Sequence, residues 1–260
     1  MRLVLAFVLA LASIACAPSA SDSGSTSSSG SSPDKPVTSD GGKDAKDLGP
    51  HVASEALRRC AEAKGDVGSI AEAVARLNAL APNADGPCFV ATLPRPLAVV
   101  ATNAVISAQP AGGLGAPRLF FMLPKLVVSA VPAGEGSKVL EFGEWMGTTR
   151  TLKGEIGLPV TTPLAADAPF QRVLSQGTRS ICSTCHRQEE PHPTLPNAFV
   201  SSAFQPTRGT LVTIDELEAL HTLCTDAGDP GARCAMIHAV FDFGEVTQGS
   251  FAPVVETFGP

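Results

Sequence analysis

Cys182, Cys185 and His186 lie in the stretch ICSTCHRQEE, residues 181–190, two thiols two residues apart followed at once by an imidazole. Such a set has four chemistries open to it. The thiols can oxidise to a structural bridge or to a redox disulfide. A thioredoxin-like redox pair, however, opens a helix after a strand, and the preceding FQRVLSQG reads as helix. With a fourth ligand the three donors could hold zinc, but three ligands so close together and oxidised neighbours oppose that. The fourth chemistry is covalent haem attachment. Two intervening residues let the sulfurs meet the two vinyl groups on one turn, and the next residue then lies under the iron. Haem is the favoured reading, with a Cys182–Cys185 disulfide as the alternative.

The start of the chain supplies an address. Arg2 precedes the apolar run LVLAFVLALA, residues 3–12, which has signal-peptide length and is too short to span a bilayer as a stable helix. SIACA follows, and it resembles the cleavage site of bacterial lipoprotein signals, with Ser13 where a leucine is usual. The resemblance implies a signal peptide over residues 1–15 and acylation of Cys16, an anchor stronger than one chain alone gives. Ala17 lacks the aspartate that resembles an inner-membrane retention signal, so the periplasm or cell surface is expected, with the outer membrane favoured. Residues 16–48 are Ser/Gly-rich and nearly devoid of apolar side chains, so they read as a disordered tether. No further stretch is long and apolar enough to span a membrane.

The seven cysteines fit that compartment, where disulfides persist. Setting aside Cys16 leaves Cys60, Cys88, Cys182, Cys185, Cys224 and Cys234, and sequence cannot choose among their pairings. If haem takes Cys182 and Cys185, proximity suggests Cys60–Cys88 and Cys224–Cys234. Three disulfides including Cys182–Cys185 balance equally well.

The elements that would position these groups fall into blocks. Over 260 residues, 44% are hydrophobic and 17% charged, so a core can form. The 24 glycines and 22 prolines imply many turns and short elements. A net charge of −6 without a basic run excludes tracking of a nucleic-acid backbone; it suits a basic redox partner. HVASEALRRCAEAKG and SIAEAVARLNALA predict a helical hairpin, the second helix capped by Ser69 with Ile70, Val74, Leu77 and Ala81 on one face. CFVATL, LAVVAT, RLFFML, LVVSAV, KVLEFGEW and TLKGEIGLPV predict strands of a mostly antiparallel sheet or small sandwich. Residues 49–165 thus read as a hairpin plus β-rich domain. AGGLG, residues 111–115, is a turn and does not match a phosphate loop.

Residues 166–260 read as helical. DAPFQRVLSQG turns Phe170, Val173 and Leu174 inward. TIDELEALHTLC carries a Thr213/Glu216 capping box above Leu217, Leu220 and Cys224. DPGARCAMIHAVF starts at Asp229 and Pro230, with Cys234, Ile237 and Phe241 on one face. A helix, a short loop, Cys-x-x-Cys-His, a Pro-rich segment and later helices resemble the c-type cytochromes over about residues 166–245. Residues 88–260 are also similar to poorly characterised exported bacterial proteins with a β-rich front half and this motif. The resemblance implies an α+β chain ending in a helical cytochrome c-like domain. It further implies haem c on Cys182 and Cys185, His186 as proximal iron ligand, and one-electron transfer to a redox partner protein. It departs from the family in lacking a Met-Pro downstream. Met236 is the candidate distal ligand, His238, His221 and His192 are rivals, and an open five-coordinate iron would suit a haem enzyme or gas sensor. Met122, Met146 and Trp145 are expected in the core, and His51 at the surface. Glu141, Glu144, Glu155, Glu189 and Glu190 read as solvated carboxylates. The class apart is a surface-anchored structural or binding lipoprotein in which Cys182–Cys185 is a disulfide.

Overall fold

The structure, a computed structural model, describes residues 53–224 and 231–258. The signal peptide, Cys16, the whole tether, His51, Asp229 and Pro230 lie outside the described residues. No helix among the described residues is long and apolar enough to cross a membrane.

Three short helices open the chain. Helix α1 (Glu55–Ala61) starts at Ser54, whose hydroxyl accepts from the Leu57 amide. Helix α2 (Ile70–Leu80) starts at Ser69 in the same way and buries Ile70, Ala73, Val74 and Leu77. CFVATL is not a strand. Asp85 accepts from the Cys88 amide at 2.7 Å and Pro87 occupies the first turn, so Gly86–Ala91 is helix α3. This corrects the expected two-helix hairpin: α1 and α2 both pack on α3, and the Cys60–Cys88 disulfide ties α1 to it.

The centre is an antiparallel meander: β1 (Leu97–Thr102), β2 (Arg118–Met122), β3 (Leu126–Ala130), β4 (Val139–Trp145) and β5 (Arg150–Gly157). Helix α4 (Ala168–Val173) crosses β5 at Gly154, where a Cβ would stand 2.9 Å from Pro169 Cβ. Behind it, β6 (Leu174–Ser175) and β7 (Arg179–Ser180) form a small hairpin. Then come β8 (Glu190–Pro191), β9 (Phe199–Ser202), β10 (Phe204–Gln205) and β11 (Leu211–Val212), followed by helices α5 (Ile214–Leu223) and α6 (Ala232–Phe241). Strand β12 (Val246–Gln248) runs parallel to β1, and β13 (Glu256–Thr257) pairs with β10.

The expectation of a helical cytochrome c-like domain over residues 166–260 is overturned. That stretch adds strands to the sheet that β1–β5 begin. The nine-stranded sheet runs β11-β1-β2-β3-β4-β5-β9-β8, with β12 also on β1. An unpaired strand edge exposes a row of donors and acceptors. Here β9 and β8 continue the sheet beyond β5, while β11 and β12 share the outer edge of β1. The added strands are two to four residues long, too short for their alternation to stand out in sequence. The expected sandwich is one sheet with helices on one face. The capping box of α5 is present as read, while α6 begins after Gly231 rather than at Asp229.

Period-two alternation divides the sheet into two faces. Val99, Leu119, Phe121, Leu126, Val128, Leu140, Phe142, Leu152 and Ile156 join the helices in the main core. Val100 and Val127 point the other way, into a smaller cluster with Ala203, Phe251 and Val255. Phe120, Met122 and Trp145 pack against it.

Candidate functional site

The Cys182–Cys185–His186 turn is built by local bonds. The β6–β7 hairpin reverses at Gln176 and Gly177, both with positive φ, and delivers Ser180, which is buried. Ser180 begins a single 3-10 turn, Ile181–Thr184. Its hydroxyl accepts from the Cys182 amide at 3.1 Å and donates to Glu189, whose other oxygen takes the Ser180 amide at 2.9 Å. The Cys182 carbonyl accepts from the amides of Cys185 (3.1 Å) and His186 (2.8 Å). The two cysteines and the histidine are therefore held on one compact loop rather than on a helix.

His186 Nδ1 lies 2.7 Å from the Ser202 carbonyl. A carbonyl only accepts, so Nδ1 carries the proton and the lone pair of the neutral ring is on Nε2. The ring stacks on Phe204, centroids 5.3 Å apart. Burial, and then the nearby Lys153 charge, push the His186 pKa down to about 3 against the opposing Ser202 bond, so the ring is neutral at pH 7. The same Ser202 carbonyl accepts from Lys153 Nζ at 3.2 Å, and Lys153 also donates to Thr151 Oγ1 at 2.6 Å. Burial pulls Lys153 down to about 8, opposed by Cys182 and Glu141. Burial also raises the Cys182 thiol, opposed by the Ser180 hydroxyl and Lys153. Lys153, Ser202, Phe204 and Ser180 are not marked by the sequence, and Glu189, expected in solvent, is bonded to Ser180. Lys153 alternates with Leu152 and Gly154, which marks the opposite face, but nothing in sequence says what covers it.

Cys60–Cys88 and Cys224–Cys234 are disulfides, whereas Cys182 and Cys185 are free thiols, the second of them exposed. Beside them is an open cleft of about 320 Å³ lined by Arg179, Ser183, His186, Gln188, Glu189 and Phe199 among others. For covalent haem the donor set fits: two unpaired thiols with the spacing of the motif, and an imidazole whose Nδ1 is already tied to a carbonyl. The surroundings differ from an enclosed apolar pocket, being open and mostly polar.

The candidate distal ligands are committed elsewhere. Met236 is fully buried in the main core, its Sδ-methyl against Gly86 of α3. His221 and His238 both face Asp242. His192 Nδ1 accepts from the amides of Thr194 and Leu195 in an exposed loop. None of them is grouped with His186. Met122 is partly buried as expected, while Met146 is exposed in the turn after β4. The carboxylates expected in solvent each have a partner. Glu141 pairs with Arg118, Glu155 with Arg172 and Glu190 with Arg150. Glu144 accepts the first amide of α2 from across the core.

No family model, curated protein or solved structure matches this chain.

Proposed function

We propose that Cys182, Cys185 and His186 form a covalent haem c site, and that the protein is an exported, lipid-anchored one-electron carrier. The observation that supports this best is selective: four cysteines are bridged, while the two in the motif stay unpaired beside an oriented imidazole. The site would be a turn on a β-sheet, not the helical domain of a small cytochrome. When bound, the haem supplies a ferric–ferrous couple. The chain's own residues do the rest. Cys182 and Cys185 provide the two thioether sulfurs, and Ser202 and Phe204 fix the His186 ring so that Nε2 is its available donor. The exposed turn gives a redox partner protein access, and Cys16 provides the membrane anchor.

A second reading is favoured by the sheet, which a simple electron carrier does not need. In it the protein is a structural or binding lipoprotein with Cys182–Cys185 as a disulfide. One experiment separates them. The chain is exported in cells with haem c maturation machinery and reduced with dithionite. A sharp Soret and α-band that survives acid-acetone extraction, and is lost in C182S/C185S, is the expected result. No visible absorption, together with no titratable thiols, would overturn the haem site and establish the disulfide.

A further inference from the structure

Outside that turn, the described residues hold one group of metal-ligating side chains, His221, His238 and Asp242. His221 sits in the last turn of α5, His238 in the last turn of α6, and Asp242 is the residue that ends α6. Their donor atoms all lie within 4.8 Å of one another. Asp242 Oδ1 is 2.6 Å from His221 Nε2, and Oδ2 is 2.9 Å from His238 Nδ1. Sequence reasoning treated the two histidines as separate rivals for a haem iron and overlooked Asp242, although its i, i+4 spacing from His238 puts both on one helix face.

We propose that His221, His238 and Asp242 bind a divalent transition-metal ion, zinc-like in its preferences, independently of the Cys182–Cys185–His186 turn. Two imidazoles and one carboxylate are a donor set that such ions take, with water completing the shell. Around a tetrahedral ion with bonds near 2.0 Å, donors stand roughly 3.3 Å apart. The two observed separations are shorter, so the carboxylate has to open by under about an ångström. The ring nitrogens that now face Asp242 turn their lone pairs to the metal, each ring proton moving to the other nitrogen. The charge balance is favourable as well. His238 and Asp242 stand at the carbonyl end of α6, the negative pole of its dipole.

The scaffold is rigid. The Cys224–Cys234 disulfide joins the residue after α5 to the first turn of α6, with Cα atoms 5.3 Å apart. Phe241 stacks on His221 at 5.3 Å between centroids. Side-chain exposure is 24% at His221, 12% at Asp242 and 8% at His238, so the group opens to solvent on the His221 side. That grading gives an ion an entry path and leaves the inner ligands preorganised.

The test is equilibrium dialysis of the full exported chain against Zn(II), counting bound metal by atomic emission. The same measurement is made on H221A, D242N and C182S/C185S, each checked by circular dichroism. His238 is left intact because it is buried in the core. One equivalent bound by the wild type and by C182S/C185S, with affinity at least tenfold weaker in H221A and D242N, is expected. No uptake by the wild type would overturn the site whatever the variants do. Uptake that vanishes in C182S/C185S and persists in H221A would also overturn it, by placing the metal on the thiols. Should D242N fail to fold, H221A on the more exposed ring carries the comparison.

Discussion

On the helix-covered face of the sheet, Leu119, Phe121, Val128 and Leu140 are fully buried within the apolar core. On the opposite face, the strands that carry them present Arg118, Ser129 and Glu141, and the neighbouring β5 presents Lys153. Arg118 bonds Ser129 at 2.7 Å and Glu141 at 2.6 Å, and Gln109 accepts from Ser129 at 2.7 Å. The Cys182–Cys185–His186 turn lies over this second face, with Lys153 beside it. The first face holds the fold by removing apolar area from water. The second holds groups whose protonation depends on burial. The site therefore rests on a face where stability and pH are linked, backed by one where they are not.

Three measurements would break or sharpen that contrast. The largest effect is expected on the apolar face. Phe121→Ala empties a fully buried ring position and should cost about 3–5 kcal/mol in urea unfolding at any pH near neutrality. A small or strongly pH-dependent loss would contradict a dry, uncharged face.

Next comes Lys153. Its folded pKa is about 8 against an ordinary 10.5. Between those values the unfolded chain binds the extra proton, so stability rises with pH across that window. The raised Cys182 thiol acts in the opposite sense at alkaline pH, which is why the wild type must be compared with K153M. Their difference should shift in favour of the wild type by about 2–3 kcal/mol between pH 8 and 10.5. A flat difference would mean that the ammonium is well solvated.

The smallest effect is expected at His186, measured in C182S/C185S so that no haem is attached. The folded pKa near 3 and the ordinary 6.5 make the unfolded chain the better proton acceptor between them. Stability should therefore fall as pH is lowered through that range, by on the order of 2 kcal/mol at pH 5. Adding His186→Phe should flatten the curve. A curve unchanged by that substitution would remove the Ser202–His186–Lys153 arrangement as its cause.

Local features were legible from sequence where neighbouring residues alone decide them. Ser69 and the Thr213/Glu216 box start helices at the expected places because their side chains reach amides three residues away. The meander from Leu97 to Gly157 shows in its apolar runs and Gly/Pro breaks. CFVATL was misread because its apolar content suits a buried strand as well as a buried helix, and Asp85 with Pro87 settles the matter. The helical reading of residues 166–260 failed for a different reason. Strands such as Phe199–Ser202 and Leu211–Val212 exist only because a long-range partner satisfies their backbone.

The sequence by itself determined the donors at Cys182, Cys185 and His186 and their spacing, because covalent order sets which side chains share a turn. It also carried His238 and Asp242 one helical turn apart. Only the tertiary structure decided what stands around them. Ser202 and Lys153 reach His186 through the pairing of β9 with β5, and His221 reaches Asp242 because α5 packs on α6. Those contacts join residues 16 to 49 positions apart. Their geometry follows from burying apolar area and satisfying strand edges across the whole chain, which no local pattern encodes.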